Sequence, residues 1–384
     1  MQIVVGHSID PDTEGAIEEL LESCRVQLDG CPPRAGVLWA AIDHDHARLL
    51  AALHDAFPGL ELIGCTTDGE LSSREGFQEG SVAVLLIAGD GVTFAAGVGR
   101  DLSVDPAHAG QQAIAAASAR LGGPPVLCLT TPESLTASAD AMLAGLQAAL
   151  GPAVPIFGGI AGDQSRFKRT LQFCGREVLT DAVPVLLAAG GLRLSHGIAS
   201  GWRPLGAVAE VVSARGSQVF QIGEHTALGF YQHYLGEHAI PSHEFPLLIE
   251  PGDDGRQVLR APMGHDRVHG SVTFAGEVPV GARVQLTTGT RDEVVAATES
   301  ALAQALAAYP GGRPSAALVF TCAARKQLLG TRVGEESTLL RAGLKGLPLA
   351  GFYAYGELAP LQLGQPTRFH NETIVALLLG GDEE

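Results

Sequence analysis

One order of segments recurs three times along this chain of 384 residues, and it constrains the fold more than any other feature. In each copy an apolar run leads to a helical period rich in Ala and Leu, and two further apolar runs follow, separated by a turn that contains glycine. The copies begin at VLWAAI (37–42), PVLCLT (125–130) and AALVFTC (316–322). Apolar runs that alternate with helical periods predict α/β units with mixed or parallel sheets.

The turns of the first and third copies share one design, which reads GCTTDGEL at 64–71 and GFYAYGEL at 351–358. Each copy also follows a strand-helix pair, and these pairs open with QIVVG, VTFAAGV and RVQLTTG. Three related units of about ninety residues are therefore expected from duplication. Chance is the alternative, because strand, helix, strand and turn is a common order.

We therefore expect an α/β fold of mixed, layered sheets built from repeated strand-helix-strand units and divided into two domains. The stretch at about 192–282 matches no copy, and it contains the hairpin signal EPGDDGRQ (250–257). A boundary near residue 215 gives a domain at 1–215 with two units and a domain at 216–384 with the divergent insertion and the third unit. Hydrophobic residues make up 46% and aromatic residues 5%, so Ala, Val and Leu should fill the core.

The charge of the chain excludes some partners. There are 25 Lys and Arg against 42 Asp and Glu, a formal net charge of −17 that would repel nucleic acid and anionic lipid. The N-terminus lacks the basic region of a signal peptide and no apolar run reaches about 18 residues, so we expect a cytoplasmic protein without membrane insertion. The six cysteines are dispersed, which is typical of reduced core thiols.

The chain resembles the FIST family, in which a FIST N domain precedes a FIST C domain. The first-domain resemblance rests on LIGCTTDGEL, VPIFGGIAGD and SHGIASGWRPLG, and the second on SVTFAGEVPVGARVQL, ALVFTCAARKQLLG, PLAGFYAYGELAP and FHNETIVALLL. The resemblance implies a cytoplasmic sensory module for small ligands such as amino acids or their derivatives. Many relatives carry output domains that are not recognisable here, so a signal would leave through a partner protein.

The glycine turns supply the first candidate ligand-binding residues. Gly64, Gly158 and Gly159 would let a ligand or another backbone approach closely, whereas the alternative is a tight strand exit. Glu70 and Glu357 end the two matching turns and would receive the ammonium group of an amine or amino acid. Their alternative role is to accept backbone N–H bonds and hold the turn.

The candidates for the anionic end of a ligand are arginines. Arg203 would clamp a carboxylate while Trp202 supplies an apolar wall, or the two side chains would stack to join the domains. Arg325 stands beyond a buried strand, where ligands of α/β sheets bind, and its alternative is a solvated loop arginine.

The remaining candidates are polar or aromatic residues at turns. Asp68 and Asp163 lie in the first and second turns, and Tyr355 lies in the third. His370 and Asn371 precede the last strand and would donate hydrogen bonds to the same pocket. Capping of the turn by these two residues, and core packing by Tyr355, are the alternatives.

Neither metal binding nor catalysis is indicated by a strong motif. DHDH (43–46) is explained by an Asp N-cap and HDRVH (265–269) by a loop, so we expect no metal and no cofactor. Phosphate loops and hydrolase elbows are absent from the sequence. Cys65 is the best nucleophile candidate, but Asp68 and Glu70 would raise its pKa.

The sequence therefore predicts noncatalytic binding of a small polar metabolite, amino-acid-like, as a sensory input. The alternative is an enzyme that acts on a small amide or amino-acid-like metabolite through Cys65 or a loop carboxylate.

Overall fold

The computed structural model describes residues 1–250 and 257–381, so the turn predicted within EPGDDGRQ lies, at 251–256, outside the described residues. Within the described ranges the chain forms eight α-helices and 26 strands. The strands make three sheets of six strands and one larger sheet. The predicted α/β fold of mixed sheets is confirmed.

The first two units have the same order of elements. The first contains β1 (Gln2–Ser8), α1 (Thr13–Leu28), β2 (Pro33–Ala40), α2 (His46–Ala56), β3 (Glu61–Thr66), β4 (Glu70–Ser72), β5 (Gly76–Gln78) and β6 (Val82–Ala88). The second contains β7 (Val92–Arg100), α3 (Pro106–Ser118), β8 (Leu127–Thr130), α4 (Ala139–Leu150), β9 (Ile156–Gly159), β10 (Gln172–Cys174), β11 (Glu177–Leu179) and β12 (Ala182–Gly190).

The third unit is split by an insertion that we call the inserted module. The unit opens with β13 (Leu192–Ala199). The inserted module then contains β14 (Arg203–Arg215), β15 (Gln218–Ile222), β16 (His225–Thr226), α5 (Ala227–Leu235), β17 (Leu247–Ile249), β18 (Val258–Arg260), β19 (Pro262–Asp266), β20 (Ser271–Phe274) and β21 (Arg283–Thr288). The unit resumes with α6 (Arg291–Ala308), β22 (Ala316–Cys322), α7 (Ala323–Leu329), the 3-10 helix Gly330–Arg332, α8 (Gly334–Leu344), β23 (Leu349–Ala354), β24 (Glu357–Pro360), β25 (Thr367–His370) and β26 (Ile374–Gly381).

Each six-stranded sheet combines four strands of one unit with a hairpin from another. The three strand orders are β1-β6-β2-β3-β10-β11, then β7-β12-β8-β9-β24-β25, and then β13-β26-β22-β23-β4-β5. The first unit thus gives its hairpin to the third sheet, the third to the second and the second to the first. The exchange is cyclic, so each sheet depends on the folding of another unit.

Burial explains why the strands read as continuous apolar runs. Every residue of β6, VAVLLIA, is buried, because one face meets the helices and the other meets the remaining sheets. The faces turned towards each other form one central core that includes Trp39, Phe157, Phe320 and Phe352. Separate clusters fill the space between each sheet and its own helices, and the inserted module has its own core.

One prediction about the third unit is wrong. RVQLTTG was expected to be its first strand, but β21 pairs with β14 and β17 in the inserted module. The first strand is instead β13, which pairs with β26 over eight residues, as β1 pairs with β6 and β7 with β12. The insertion separates β13 from α6, and chain order alone pointed to the strand that directly precedes the helix.

The three units share one close backbone approach. Gly64, Gly158 and Gly351 lie at matching positions on parallel strand pairs. A Cβ atom on each would lie 2.0, 1.9 and 1.9 Å from the carbonyl oxygen of the facing strand residue. The same steric requirement at all three positions supports duplication.

We predict that Gly64→Ala, Gly158→Ala and Gly351→Ala each destabilise the protein by about 3 kcal/mol or more, because the obstacle is a backbone oxygen that cannot rotate away. Chemical denaturation measures the change. Gly264→Ala is the matched control, since this strand glycine has no atom within 4 Å of its Cβ position. It should change stability by less than about 0.5 kcal/mol. Equal effects at the four positions would contradict the prediction.

Candidate functional site

The three turns that carry the exchanged hairpins meet and bond to one another. The bonds run from Asp68 N to Tyr353 O (2.9 Å), Tyr353 N to Gly69 O (2.9 Å), Ile160 N to Gly356 O (2.9 Å), Tyr355 N to Ile160 O (3.1 Å) and Gly162 N to Thr66 O (2.9 Å). They close a ring through all three units. The ring brings Asp68, Asp163 and Tyr355 into one region.

A cavity of about 440 Å³ lies between this ring, α7 and the inserted module. Its walls are mainly apolar and include Phe167, Met263, Cys322, Gln327, Tyr355 and Asn371. We call it the central cavity. Its volume falls within the range of small-molecule sites.

Asn371 is the most informative residue of this wall. Its side chain is fully buried, and within the described part of the chain neither its amide nitrogen nor its amide oxygen has a hydrogen-bond partner. It is also the only asparagine in the sequence. A buried unsatisfied amide costs free energy, so the position calls for a partner that the protein does not supply.

The second and third turns together place an aromatic pair at the cavity. Phe167 stacks on Tyr355 with ring centroids 4.7 Å apart, and the Tyr355 hydroxyl donates to Asp163 Oδ1 at 2.6 Å. Asp163 also accepts bonds from three backbone N–H groups of residues 167–169. Gln164, Ser165 and Phe167 have φ values of 50–58°, a left-handed conformation that is costly without glycine. Asp163 therefore holds a strained loop over the cavity.

Asp68 binds the cavity helix to the ring. Lys326 Nζ of α7 lies 2.8 Å from Asp68 Oδ2, and the Ser165 hydroxyl donates to the same carboxylate at 3.1 Å. Burial raises the pKa of Asp68, although Lys326 and Ser165 act against the shift. Gln327, the neighbour of this lysine, lines the cavity.

Glu70 and Glu357 occupy matching positions but have different surroundings. Oε2 of Glu70 accepts from the Ser81 hydroxyl at 2.6 Å, and Oε2 of Glu357 accepts from the Thr373 hydroxyl at 2.7 Å. Thr67 donates to the other oxygen of Glu70. The residue of the third unit that corresponds to Thr67 is Ala354, which has no hydroxyl group. Oε1 of Glu357 has no hydrogen-bond partner among the described residues.

A second unpaired carboxyl lies next to Glu357. Glu372 is fully buried, and neither of its oxygens has a described hydrogen-bond partner. Its φ of 63° costs on the order of 1 kcal/mol. Burial raises the pKa of Glu357 to about 8, and burial together with the charge of Glu357 raises the pKa of Glu372 well above its usual value. Burial therefore favours the protonated form of both carboxyl groups.

Several predicted residues lie away from the central cavity. Gly64, Cys65, Gly158 and Gly159 are buried in the sheets, where the glycines allow close packing. Burial, with a smaller effect from Glu70, raises the pKa of the Cys65 thiol well above its usual value. Glu70 is buried beneath its own hairpin, and the backbone N–H of Ser81 donates to its carboxylate at 3.3 Å. This contact corresponds to the alternative role, in which the glutamate accepts backbone N–H bonds and holds the turn.

The arginine pair predicted for a ligand carboxylate is not formed. Arg325 is fully buried and donates to Glu336, to the Thr298 hydroxyl and to backbone carbonyls. Arg203 is exposed and pairs with Glu293. Neither is among the described residues that line the central cavity. The strand-end position of Arg325 therefore reflects an internal ion pair.

Trp202 and His370 line a second, smaller cavity of about 190 Å³. Trp202 packs against Leu248 and Leu259 of the inserted module, and its Nε1 donates to the Glu244 carbonyl at 3.3 Å. Burial lowers the pKa of His370 to about 4, and its neutral ring bonds to the Ala359 carbonyl.

Models of two protein families match most of the chain. The FIST N domain matches residues 35–225, and the FIST C domain matches residues 227–360. The chain belongs to the FIST family. FIST domains are generally sensory domains that bind small ligands in signalling.

Relatives of this FIST protein include uncharacterized protein MT0656 of Mycobacterium tuberculosis, which is 28% identical over 94% of this chain and 95% of its own. Uncharacterized protein Mb0898c of Mycobacterium bovis is 26% identical over the same shares. Two solved structures also match weakly. A cyanuric acid hydrolase from A. caulinodans has a TM-score of 0.33 and 10% identity over 100% of this chain and 99% of its own. A chorismatase has a TM-score of 0.35 and 11% identity over 98% of this chain and 97% of its own.

The FIST chain has no helix, within 1–250 and 257–381, that is both long and apolar enough to cross a membrane. The same residues contain no cluster of three His, Cys, Asp or Glu side chains placed to hold a metal ion.

Sequence reasoning missed several residues of this site. Phe167, Lys326 and Glu372 gave no motif of their own, although Glu372 directly follows Asn371. Tyr231 of α5 was also missed, and its buried hydroxyl has no described partner. A comparison of the matching turns could have indicated the unpaired acid, because Thr67 of the first turn, which donates to Glu70, corresponds to Ala354 of the third turn.

We predict that Glu357→Gln flattens the pH dependence of stability. The folded pKa is raised, so as pH rises from about 4.5 to about 8 the unfolded carboxyl ionises while the folded one keeps its proton, and wild-type stability falls. The variant should match wild type near pH 4.5 and exceed it by about 2–4 kcal/mol at pH 8. Denaturant titrations across this range provide the measurement.

Asp163→Asn is the comparison with the opposite sign. Burial alone would raise the pKa of Asp163, but bonds from Tyr355 and the backbone N–H groups lower it overall. Its ionised form therefore stabilises the fold above the unfolded pKa, and the variant should lose stability at pH 7. Parallel pH curves for Glu357→Gln and wild type would contradict the first expectation.

Proposed function

We propose that this FIST protein is a sensor that binds a small polar metabolite, an amino acid or a derivative, in the central cavity. The observation that carries the proposal is the buried Asn371 amide, which has no described partner and lines that cavity. The amide offers one acceptor and two donors in one plane. A ligand with a carboxylate or carboxamide group would satisfy several of them together.

The walls suit a compact ligand with an apolar part. Met263 comes from the inserted module, and the Phe167–Tyr355 pair comes from the ring. Apolar walls with a few placed polar groups are typical of small-molecule sites. A short aliphatic or amide side chain of an amino acid fits this description.

The site would couple binding to the arrangement of the inserted module. The module contacts the three-unit core through Arg260, which is buried and donates to the Phe369 carbonyl at 3.0 Å and to Asp140 at 3.3 Å. A ligand that touches both sides would favour the docked arrangement, provided that it binds that state more tightly. We propose that a cytoplasmic partner protein detects this state.

The enzyme alternative through Cys65 has little support. The thiol is fully buried in the central core, and its raised pKa keeps it protonated. A nucleophile needs access to substrate and a base within reach.

We predict that some of the standard amino acids, or their amides, raise the melting temperature of the wild-type protein and that Asn371→Leu abolishes this rise. Leucine has nearly the same shape as asparagine but cannot form the hydrogen bonds. A thermal-shift screen followed by calorimetry measures the effect, because stabilisation follows ligand concentration over Kd. Affinity should fall at least tenfold.

Gln172→Leu is the matched control. Gln172 is also fully buried with an unpaired amide oxygen, but it lies in β10 and not among the described cavity residues. This variant should keep the ligand response whatever its own stability. A response that survives Asn371→Leu, or no response to any compound, would refute the proposal.

A further inference from the structure

Five of the thirteen buried side-chain atoms that lack a hydrogen-bond partner among the described residues lie in or beside one turn. The turn of residues 371–373 joins β25 to β26, and it carries the amide of Asn371 and the carboxyl of Glu372. Next to it lies Glu357, whose Oε2 is bound by Thr373 and whose Oε1 is unpaired among the described residues. The side chains are buried, so bulk water does not satisfy them.

The matching turn of the first unit has the same glutamate, but both of its carboxyl oxygens have hydrogen-bond partners. There, both oxygens of Glu70 accept hydroxyl groups, from Thr67 and from Ser81. In the third unit alanine replaces the first of these donors. The third unit thus keeps the buried glutamate but lacks one of its hydrogen-bond donors. Glu357 and Glu372 are not among the described residues that line the central cavity, and they lie behind Cys322 and Asn371, which do line it.

We propose that Glu372 and Glu357 form an amine subsite directly behind Asn371 and Cys322 of the central cavity wall, in which they accept hydrogen bonds from a protonated primary amine. This inference rests on the proposed function, since it names the second recognition element of the same ligand. An ammonium group has three donors and no acceptor, which suits a site with unpaired carboxyl oxygens. Asn371 would then recognise the adjacent carboxylate or carboxamide.

The groups around Glu357 and Glu372 are neutral or already paired, so they would not repel a cation. The groups that act on the pair are Tyr231 from α5, Cys322 at the end of β22 and Arg325 from α7. Arg325 is already bound to Glu336, so its charge is largely compensated. Tyr231 and Cys322 are neutral, because burial raises both pKa values well above their usual ranges.

Amine binding should release a proton. Without ligand both carboxyl groups are protonated, because two buried charges of the same sign without a close cation are unfavourable. The arriving ammonium keeps its three protons, and one carboxyl proton passes to the solvent. The site then holds one carboxylate and one ammonium, and its net charge stays zero. The affinity for amines should therefore rise with pH until the ammonium group of the ligand itself loses its proton.

Two pairs of probes test this subsite, alaninamide against lactamide and alanine against lactate, which differ in having an ammonium or a hydroxyl group. We expect wild-type protein to bind the amine at least tenfold more tightly in at least one pair. Titration calorimetry in phosphate and in Tris should show close to one proton released for the amine and none for the hydroxyl compound.

Glu372→Gln should remove the preference for the amine and the proton release, while the affinity for the hydroxyl compound changes less than threefold. Ala354→Ser restores a hydroxyl at the position that matches Thr67, and it should weaken amine binding without removing a carboxyl group. Glu70→Gln is the control, because it changes the matching buried glutamate of the first unit, which is bound by Thr67 and Ser81, and it should bind like wild type.

The outcomes separate the two proposals. Equal binding of amine and hydroxyl compounds, with Asn371→Leu still disruptive, would overturn the amine subsite and leave the sensory site standing. A preference that survives Glu372→Gln would also overturn the subsite. If neither compound of either pair binds and the wider screen is silent, both proposals fail. Circular dichroism and the melting temperature of each variant show whether it is folded.

Discussion

The exchange of hairpins between three sheets is the constraint on which the rest of the structure depends. Each sheet ends in two strands from another unit, so the connecting turns must cross from one sheet to the next where all three meet. On the parallel strand pair of each unit that leads to this point, the facing backbone lies so close that only glycine fits at residues 64, 158 and 351. The backbone ring between the turns follows from the same crossing, and it fixes one wall of the central cavity.

The stability of this core allows the protein to contain a site whose residues destabilise the fold. The unpaired Asn371 amide, the unpaired Glu372 carboxyl, the one unpaired oxygen of Glu357 and the left-handed residues near the cavity each oppose folding. Protonation lowers the cost of the buried acids, since neutral carboxyl groups are cheaper to bury than charged ones. The continuous core shared by the three sheets offsets the remainder. These costs gather in two turns beside one cavity, which is the pattern expected where binding rather than folding determines the residues.

The sequence predicted the repeated units, because apolar periodicity and glycine turns are local signals. It did not predict which unit completes which sheet, since pairing between distant strands leaves no local trace. Asn371 and Tyr355 could be predicted as cavity residues from their turns. Arg325 could not be placed, because its partner Glu336 lies eleven residues away on another helix. Glu372 was missed because an unsatisfied acid is recognisable only once its neighbours are known.

The difference between the first and third turns gives the duplication a functional meaning. In the first unit His7 and Ser81 extend the hydrogen bonds around Glu70, at 2.9 Å from His7 Nε2 to Ser81 Oγ, so that turn is satisfied by the protein itself. In the third unit the inserted module faces the corresponding region and contributes Tyr231, whose hydroxyl has no described partner. An insertion that covered an already satisfied turn would only add packing. Here it covers a turn with unfilled acceptors, and a cavity remains between them. The site is therefore one copy of a repeated turn that lacks an internal donor and is covered by the inserted module.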